Sequence, residues 1–244
     1  MDVRVLADLE ALGNAAAEHL VAQVERKPDA VIGLATGSSP VVAYREWGGL
    51  ARRREISLDR VRGFALDEYI GLDPEDPRSY HAVIRDDAVN VVGLDPERVR
   101  VPFARTVAEA AETGAEYERA IAAAGGIDLQ ILGIGRNGHL AFNEPGSAVD
   151  SRTRAVELTP ETREDNARFF ESADQVPTHA ITQGIGTILE ARALLMIATG
   201  AAKAAAVAAA IEGPETEALP ASFLRRHADV IWLLDEAAAS RLGQ

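Results

Sequence analysis

The 244-residue chain contains no cysteine, which excludes disulfides, thiolate metal sites and a cysteine nucleophile. It also lacks a long apolar run: residues 193–202 and 204–211, split by Lys203, stop well short of the ~20 residues that a membrane span requires. Basic charge is in deficit, with 25 Lys+Arg against 38 Asp+Glu and a net charge of −13. Such a surface repels phosphodiester backbones, and the one basic cluster, Arg52-Arg53-Arg54, reads as a solvated helix end, so no nucleic-acid partner is expected. Asp2, Asp8 and Glu10 interrupt the N-terminus, no apolar core with a small-residue cleavage site follows, and the expected location is the cytoplasm. No repeat, low-complexity linker or Pro/Gly-rich boundary divides residues 1–244, which read as a single domain. What is present is an ordinary globular composition, 47 % hydrophobic and 26 % charged, long enough for a core that needs no staple.

Hydrophobic periodicity alternates between strand and helix along the whole chain. Strands are expected at 3–6, 30–36, 61–66, 127–134, 193–198 and 230–234, and helices at 9–25, 40–54, 80–88, 107–124, 160–170, 201–212 and 236–241. Their lengths suit βαβ crossovers, so the expected fold is α/β: a mostly parallel, Rossmann-like sheet with helices on both faces. Residues 142–183 break this rhythm, being polar, carrying Arg152, Arg154, Arg163 and Arg168, and lacking a long apolar strand. They read as an inserted lid, its body around 146–183, with a helix opening at Thr159 as N-cap and Pro160 at the first helical position.

Ligands of open parallel sheets bind beyond the carboxyl ends of the strands, and four strand ends stand out. Thr36-Gly37-Ser38-Ser39-Pro40 offers hydroxyls, a flexible glycine and a helix start with Pro40 at its first position, an arrangement suited to a phosphate monoester. It lacks the spacing of a nucleotide-binding P-loop, and Ser39 alone would equally serve as a plain N-cap. Asp67-Glu68 closes another apolar strand; neighbouring strand residues face opposite ways, so one of the two turns to the pocket unless it merely caps a loop. Gly133-Ile134-Gly135-Arg136-Asn137-Gly138-His139 spells the dinucleotide pattern G-x-G-x-x-G. Phe142-Asn143-Glu144-Pro145-Gly146 would break the helix that this pattern must open, so the glycines are read as allowing close backbone approach to a small ligand. His139, with Asn137 and Glu144 to orient it, has the residue types of a proton shuttle, whereas His19, His81, His179 and His227 have no such neighbours in sequence. Finally, Thr199-Gly200-Ala201-Ala202-Lys203 puts a lysine in a first helical turn, opposing the helix dipole unless an anion sits there, although a lysine pointing to solvent is the plain alternative. A metal site is not expected without HExxH, cysteine or a third ligand.

Taken in order, Thr36-Gly37-Ser38-Ser39-Pro40, Leu66-Asp67-Glu68-Tyr69-Ile70-Gly71, Ser79-Tyr80, residues 135–145, Ser151-Arg152-Thr153-Arg154, Ala167-Arg168-Phe169-Phe170 and Gly200-Ala201-Ala202-Lys203 resemble the glucosamine-6-phosphate deaminase family almost end to end. The resemblance implies conversion of D-glucosamine 6-phosphate and water to D-fructose 6-phosphate and ammonia without a cofactor, a small sugar phosphate being the partner. It assigns Asp67 as the base at C2 and His139, with Glu144 and Asn137, to ring opening. It assigns Thr36, Gly37, Ser38, Ser39, Arg168 and Lys203 to the substrate and its phosphate. Asn137 stands where some deaminases have Asp, and Val156 where those activated by N-acetylglucosamine 6-phosphate have Lys, so weak or no activation is expected. The alternatives within the superfamily are a galactosamine-6-phosphate deaminase/isomerase and a 6-phosphogluconolactonase; the latter is disfavoured because Asp67-Glu68-Tyr69 and Asn143-Glu144-Pro145 depart from its pattern. A sugar-phosphate-sensing regulator would need a helix-turn-helix module. The C4 epimer and the oligomeric state stay open, homo-oligomers included.

Overall fold

The computed structural model describes residues 1–243. The chain opens with β1 (Asp2–Leu6) and α1 (Leu9–Arg26), whose N-cap Asp8 accepts the Ala11 N–H at 2.8 Å. β2 (Val31–Leu34), α2 (Ser38–Arg53), β3 (Arg62–Ala65) and β4 (Asp67–Tyr69) follow. Next come α3 (Tyr80–Ile84), a π-helical turn over Arg85–Val89, α4 (Asn90–Val92), β5 (Val99–Arg100), α5 (Ala110–Ala123) and β6 (Leu129–Leu132). β7 (Arg154–Glu157), α6 (Pro160–Asn166), β8 (His179–Thr182) and α7 (Ile185–Leu189) lead to β9 (Leu194–Ala198). α8 (Ala204–Glu212), β10 (Val230–Asp235) and α9 (Glu236–Ala239) complete the chain.

Seven strands form one parallel sheet in the order β1-β10-β9-β6-β2-β3-β5. Its central strands β2, β6 and β9 are buried throughout, as expected of strands covered on both faces. From β2 the chain winds outward through β3 to β5, then returns to β6 and winds the other way through β9 to β10. The reversal falls between β2 and β6, and such a switch point opens a crevice at the carboxyl ends of the two strands.

The departures from the expected elements lie mostly outside this sheet. Residues 142–183 hold no long strand but do hold two short ones that were not expected: β7 and β8 pair antiparallel, and β8 pairs with β4 to form a three-stranded sheet in which Asp67 faces Thr182. Strands of three or four residues are too short for alternation to register. The expected helix 80–88 changes to a π turn at Arg85, and β5, two residues long, carries no periodic signal at all. α2 starts at Ser38 with Gly37 as N-cap, so Pro40 is the third helical residue rather than the first. Its missing N–H costs nothing there, because the first turn has no intrahelical acceptor for it. Thr159 and Pro160 take up the expected capping positions, Thr159 Oγ1 accepting the Thr162 N–H at 3.2 Å.

Candidate active site

The loop after β6 turns sharply: Gly138 N–H donates to the Gly135 carbonyl at 3.1 Å and Gly135 N–H to the His139 carbonyl at 3.0 Å. No helix follows, so the glycine pattern does not build a dinucleotide fold. The turn folds the His139 ring over Gly135, where any Cβ would lie 2.4 Å from the ring atoms Cε1 and Nδ1. Asn137 Oδ1 accepts the His139 backbone N–H at 3.1 Å, and its Nδ2 donates to Glu144 Oε2 at 2.9 Å. The same Oε2 stands 3.7 Å from His139 Nδ1, in ion-pair range. Oε1 of Glu144 accepts from the hydroxyls of Thr162 and, at 3.3 Å, Thr159. Burial pushes the Glu144 carboxyl up, but His139, Thr162 and Asn137 together outweigh it and hold the group at about 2. An anion therefore stands beside the imidazole at any physiological pH.

Asp67 and Glu68 divide their roles as strand alternation requires. Glu68 is fully buried and its two oxygens accept four donors: the N–H groups of Tyr69, Tyr80 and His81, and the His81 ring at 2.9 Å. It fastens the start of α3 to β4. His81 thus does have a carboxylate partner, contrary to the sequence reading; the pair is invisible in sequence because 13 residues separate its members. Asp67 is 5 % exposed, and its carboxyl group makes no hydrogen bond among the described residues. Burial, and then the Glu68 charge, raise its pKa well above the usual carboxylate value.

Thr182 and Gln183, which nothing in the sequence singled out, join the Asp67 strand to the His139 loop. Thr182 faces Asp67 in the β4–β8 register, and its Oγ1 accepts the Phe142 N–H at 3.3 Å. Gln183 takes its N–H to the Leu66 carbonyl and its Nε2 to the Ala65 carbonyl, while its own carbonyl accepts Asn143 Nδ2 at 2.7 Å. Tyr80 adds a third link, its ring stacked on Phe142.

Across the crevice, the loops after β2 and β9 share one design. Gly37 (φ 105°) and Gly200 (φ 88°) each turn the chain into a helix start through a conformation that L side chains rarely adopt, and open space lies over both. Ser39 Oγ and Thr199 Oγ1 join the loops at 2.8 Å. Ser38 is exposed, Ser39 and Thr36 partly so, and the unpaired N–H groups of the first turn of α2 are those an anion would use. Lys203 lies in a short 3₁₀ turn (Ala201–Lys203) ahead of α8. Burial lowers its pKa, Asp165 opposes that, and Arg136 and Arg168 lower it further, so three cations surround a spot with one carboxylate. Arg136 is paired with Asp165, and exposed Arg168 lies over the Phe169 ring at 4.7 Å. On β7, Arg154 donates to Asn143 Oδ1 and Ser147 Oγ, while Val156 packs against the apolar cluster of Tyr69 and Phe142. No helix among the described residues is long and apolar enough to cross a membrane.

Residues 7–232 match the family described as glucosamine-6-phosphate isomerases/6-phosphogluconolactonase. The chain is 47 % identical to a glucosamine-6-phosphate deaminase of Rhodopirellula baltica, over 99 % of this chain and 96 % of the other. It is 55 % identical to that of Rhodococcus jostii, over 89 % and 83 %. A solved monomeric glucosamine-6-phosphate deaminase superposes with a TM-score of 0.94 at 40 % identity, covering 98 % of this chain and 99 % of that one. A 6-phosphogluconolactonase of Trypanosoma brucei superposes with a TM-score of 0.76 at 23 % identity, covering 99 % and 98 %, which is a likeness of fold alone.

Proposed function

We infer that this chain, a member of the glucosamine-6-phosphate isomerase/6-phosphogluconolactonase family, converts D-glucosamine 6-phosphate and water into D-fructose 6-phosphate and ammonia. The observation that carries the reading is identity of about one half, over nearly whole chains, to deaminases, against 23 % to a lactonase of the same fold. The test is a panel of glucosamine 6-phosphate, galactosamine 6-phosphate and 6-phosphogluconolactone. The first is expected to be turned over with the highest kcat/KM; preference for either of the others would reassign the enzyme within its superfamily.

The geometry supports the following division of work. Closed sugar must first open, which requires a proton to leave the anomeric hydroxyl and one to reach the ring oxygen; His139, backed by the Glu144 anion, carries that proton. Asp67 then takes the proton from C2 while the C1 carbonyl oxygen gains one from water, forming an enolamine, and Asp67 returns its proton to C1. The imine left at C2 adds water and expels ammonia. Gly37, Ser38 and Ser39 hold the phosphate through backbone and hydroxyl donors, Thr36 lines the same loop, and Lys203 and Arg168 supply charge. Residues 146–183 serve as a lid over the bound sugar, since they carry Thr159, Thr162 and Arg168 on a single excursion from the large sheet. The proposed location is the cytoplasm, where sugar phosphates are confined by their charge.

Two expected results follow. A carboxyl group whose neutral form the fold favours keeps its proton to higher pH, so Asp67 becomes a base only above its raised pKa. The acidic limb of kcat/KM is therefore expected above the range of about 3.5–4.5 common to carboxylates, and a limb inside that range would contradict Asp67 as the base. Gly135→Ala is expected to fold, because the His139 ring can swing aside, but to lose about 10²-fold in kcat as the shuttle is displaced. Steady-state kinetics beside a thermal melt checks this, and near-normal kcat would detach the ring position from catalysis.

A further inference from the structure

Glu144 is supported from two sides. Its Oε2 belongs to the loop that carries the histidine, through Asn137 and His139; its Oε1 belongs to α6, through Thr159 and Thr162. Thr162 is 3 % exposed and sits 18 residues along the chain from the carboxylate it serves. Thr159 is bound to a second task as the N-cap of α6, leaving Thr162 as the dedicated donor. α6 in turn is held by Arg136 paired with Asp165, and by Arg163, which donates to the carbonyls of Val176 at 3.2 Å and Ala173 at 2.9 Å.

We propose that Thr162 is a positioning residue for the ring-opening step: its buried hydroxyl fixes Oε1 of Glu144, turns Oε2 toward His139, and so makes the shuttle ready only while α6 is docked. The proposal rests on the deaminase reading above and assigns no contact between Thr162 and the sugar. A carboxylate that loses one of its donors is free to rotate about its last bond, and the 3.7 Å approach to His139 is the first thing such a rotation changes. The donor also favours the charged form of Glu144, which lies at about 2 after burial has pushed it upward. The groups facing Glu144 are Asn137 and His139 from the loop and Thr159 and Thr162 from α6, and His139 is the titratable one among them. Among the charges flanking these two elements, Arg136 and Asp165 pair with each other, while Glu161, Arg163 and Glu164 lie on α6 and Lys203 lies beside the pair.

The test uses Thr162→Val, which keeps the shape and removes the donor, Thr162→Ser, which restores the donor, and Glu144→Gln alone and combined with Thr162→Val. Thr162→Val is expected to lower kcat by about 10- to 100-fold, the worth of a hydrogen bond to a charged group, with KM within about twofold. The Kd for the reduced, permanently open-chain alditol phosphate is expected to be unchanged, and Thr162→Ser to recover most of the loss. In the Glu144→Gln background, Thr162→Val should change kcat by less than about twofold, because its route to the histidine is already gone. Full activity of Thr162→Val, no recovery by Thr162→Ser, or additive losses in the double variant would overturn the proposal. If Thr162→Val fails to fold, the serine variant and the pair in the neutral Glu144→Gln background still decide it. Wild-type enzyme silent on glucosamine 6-phosphate would instead sink the deaminase reading.

Discussion

Asp67→Asn is expected to lower kcat on glucosamine 6-phosphate by about 10³- to 10⁴-fold, while the Kd for substrate stays within about twofold. The amide keeps the size of the side chain and removes the lone pair proposed to take the C2 proton. The site around it has nothing to substitute: Glu68 has both oxygens occupied, and the phenols that sense the Asp67 charge, Tyr69, Tyr80 and Tyr117, have pKa values raised by burial. The same variant should melt no lower than wild type. Its charge is buried, unbonded and beside another carboxylate, so the fold gains when it is removed, as happens where a site carries strain for function. Turnover within about tenfold of wild type would remove Asp67 from the chemistry, since a positioned base contributes at least ~10².

Lys203→Ala is expected to raise KM by about 10- to 100-fold with kcat within about threefold, the pattern of lost uniform binding. Lys203, Arg136 and Arg168 gather near a helix start, an arrangement short of negative charge that a phosphate dianion completes. Activity on glucosamine without its phosphate should be poor, and equally poor in both enzymes, because the lost partner is absent from that substrate. An unchanged KM on the phosphorylated substrate would take Lys203 out of the site.

Much of this was legible in the sequence wherever the residues concerned lie close along the chain. Val31–Leu34 and Leu194–Ala198 read as buried strands because their apolar runs are continuous, and the loops after them read as anion sites because cap, glycine and hydroxyl are adjacent. Strand alternation already required Asp67 and Glu68 to part company, and it took the four donors on Glu68 to say which one is structural. What was not legible depends on pairing at a distance. The β4–β8 pairing joins strands over 100 residues apart, Gln183 reaches back 118 residues to Ala65, and Thr162 meets Glu144 through a helix whose docking no local pattern records. Polar residues in such roles look like surface until the fold brings their partners to them.

The most direct measurement is the joint release of fructose 6-phosphate and ammonia from glucosamine 6-phosphate, with chelator present, by wild type and Asp67→Asn side by side. One-to-one release by the wild type, unaffected by chelator and lost in the variant although it still binds substrate, is the predicted result. Ammonia without fructose 6-phosphate, or equal release by both proteins, would contradict it.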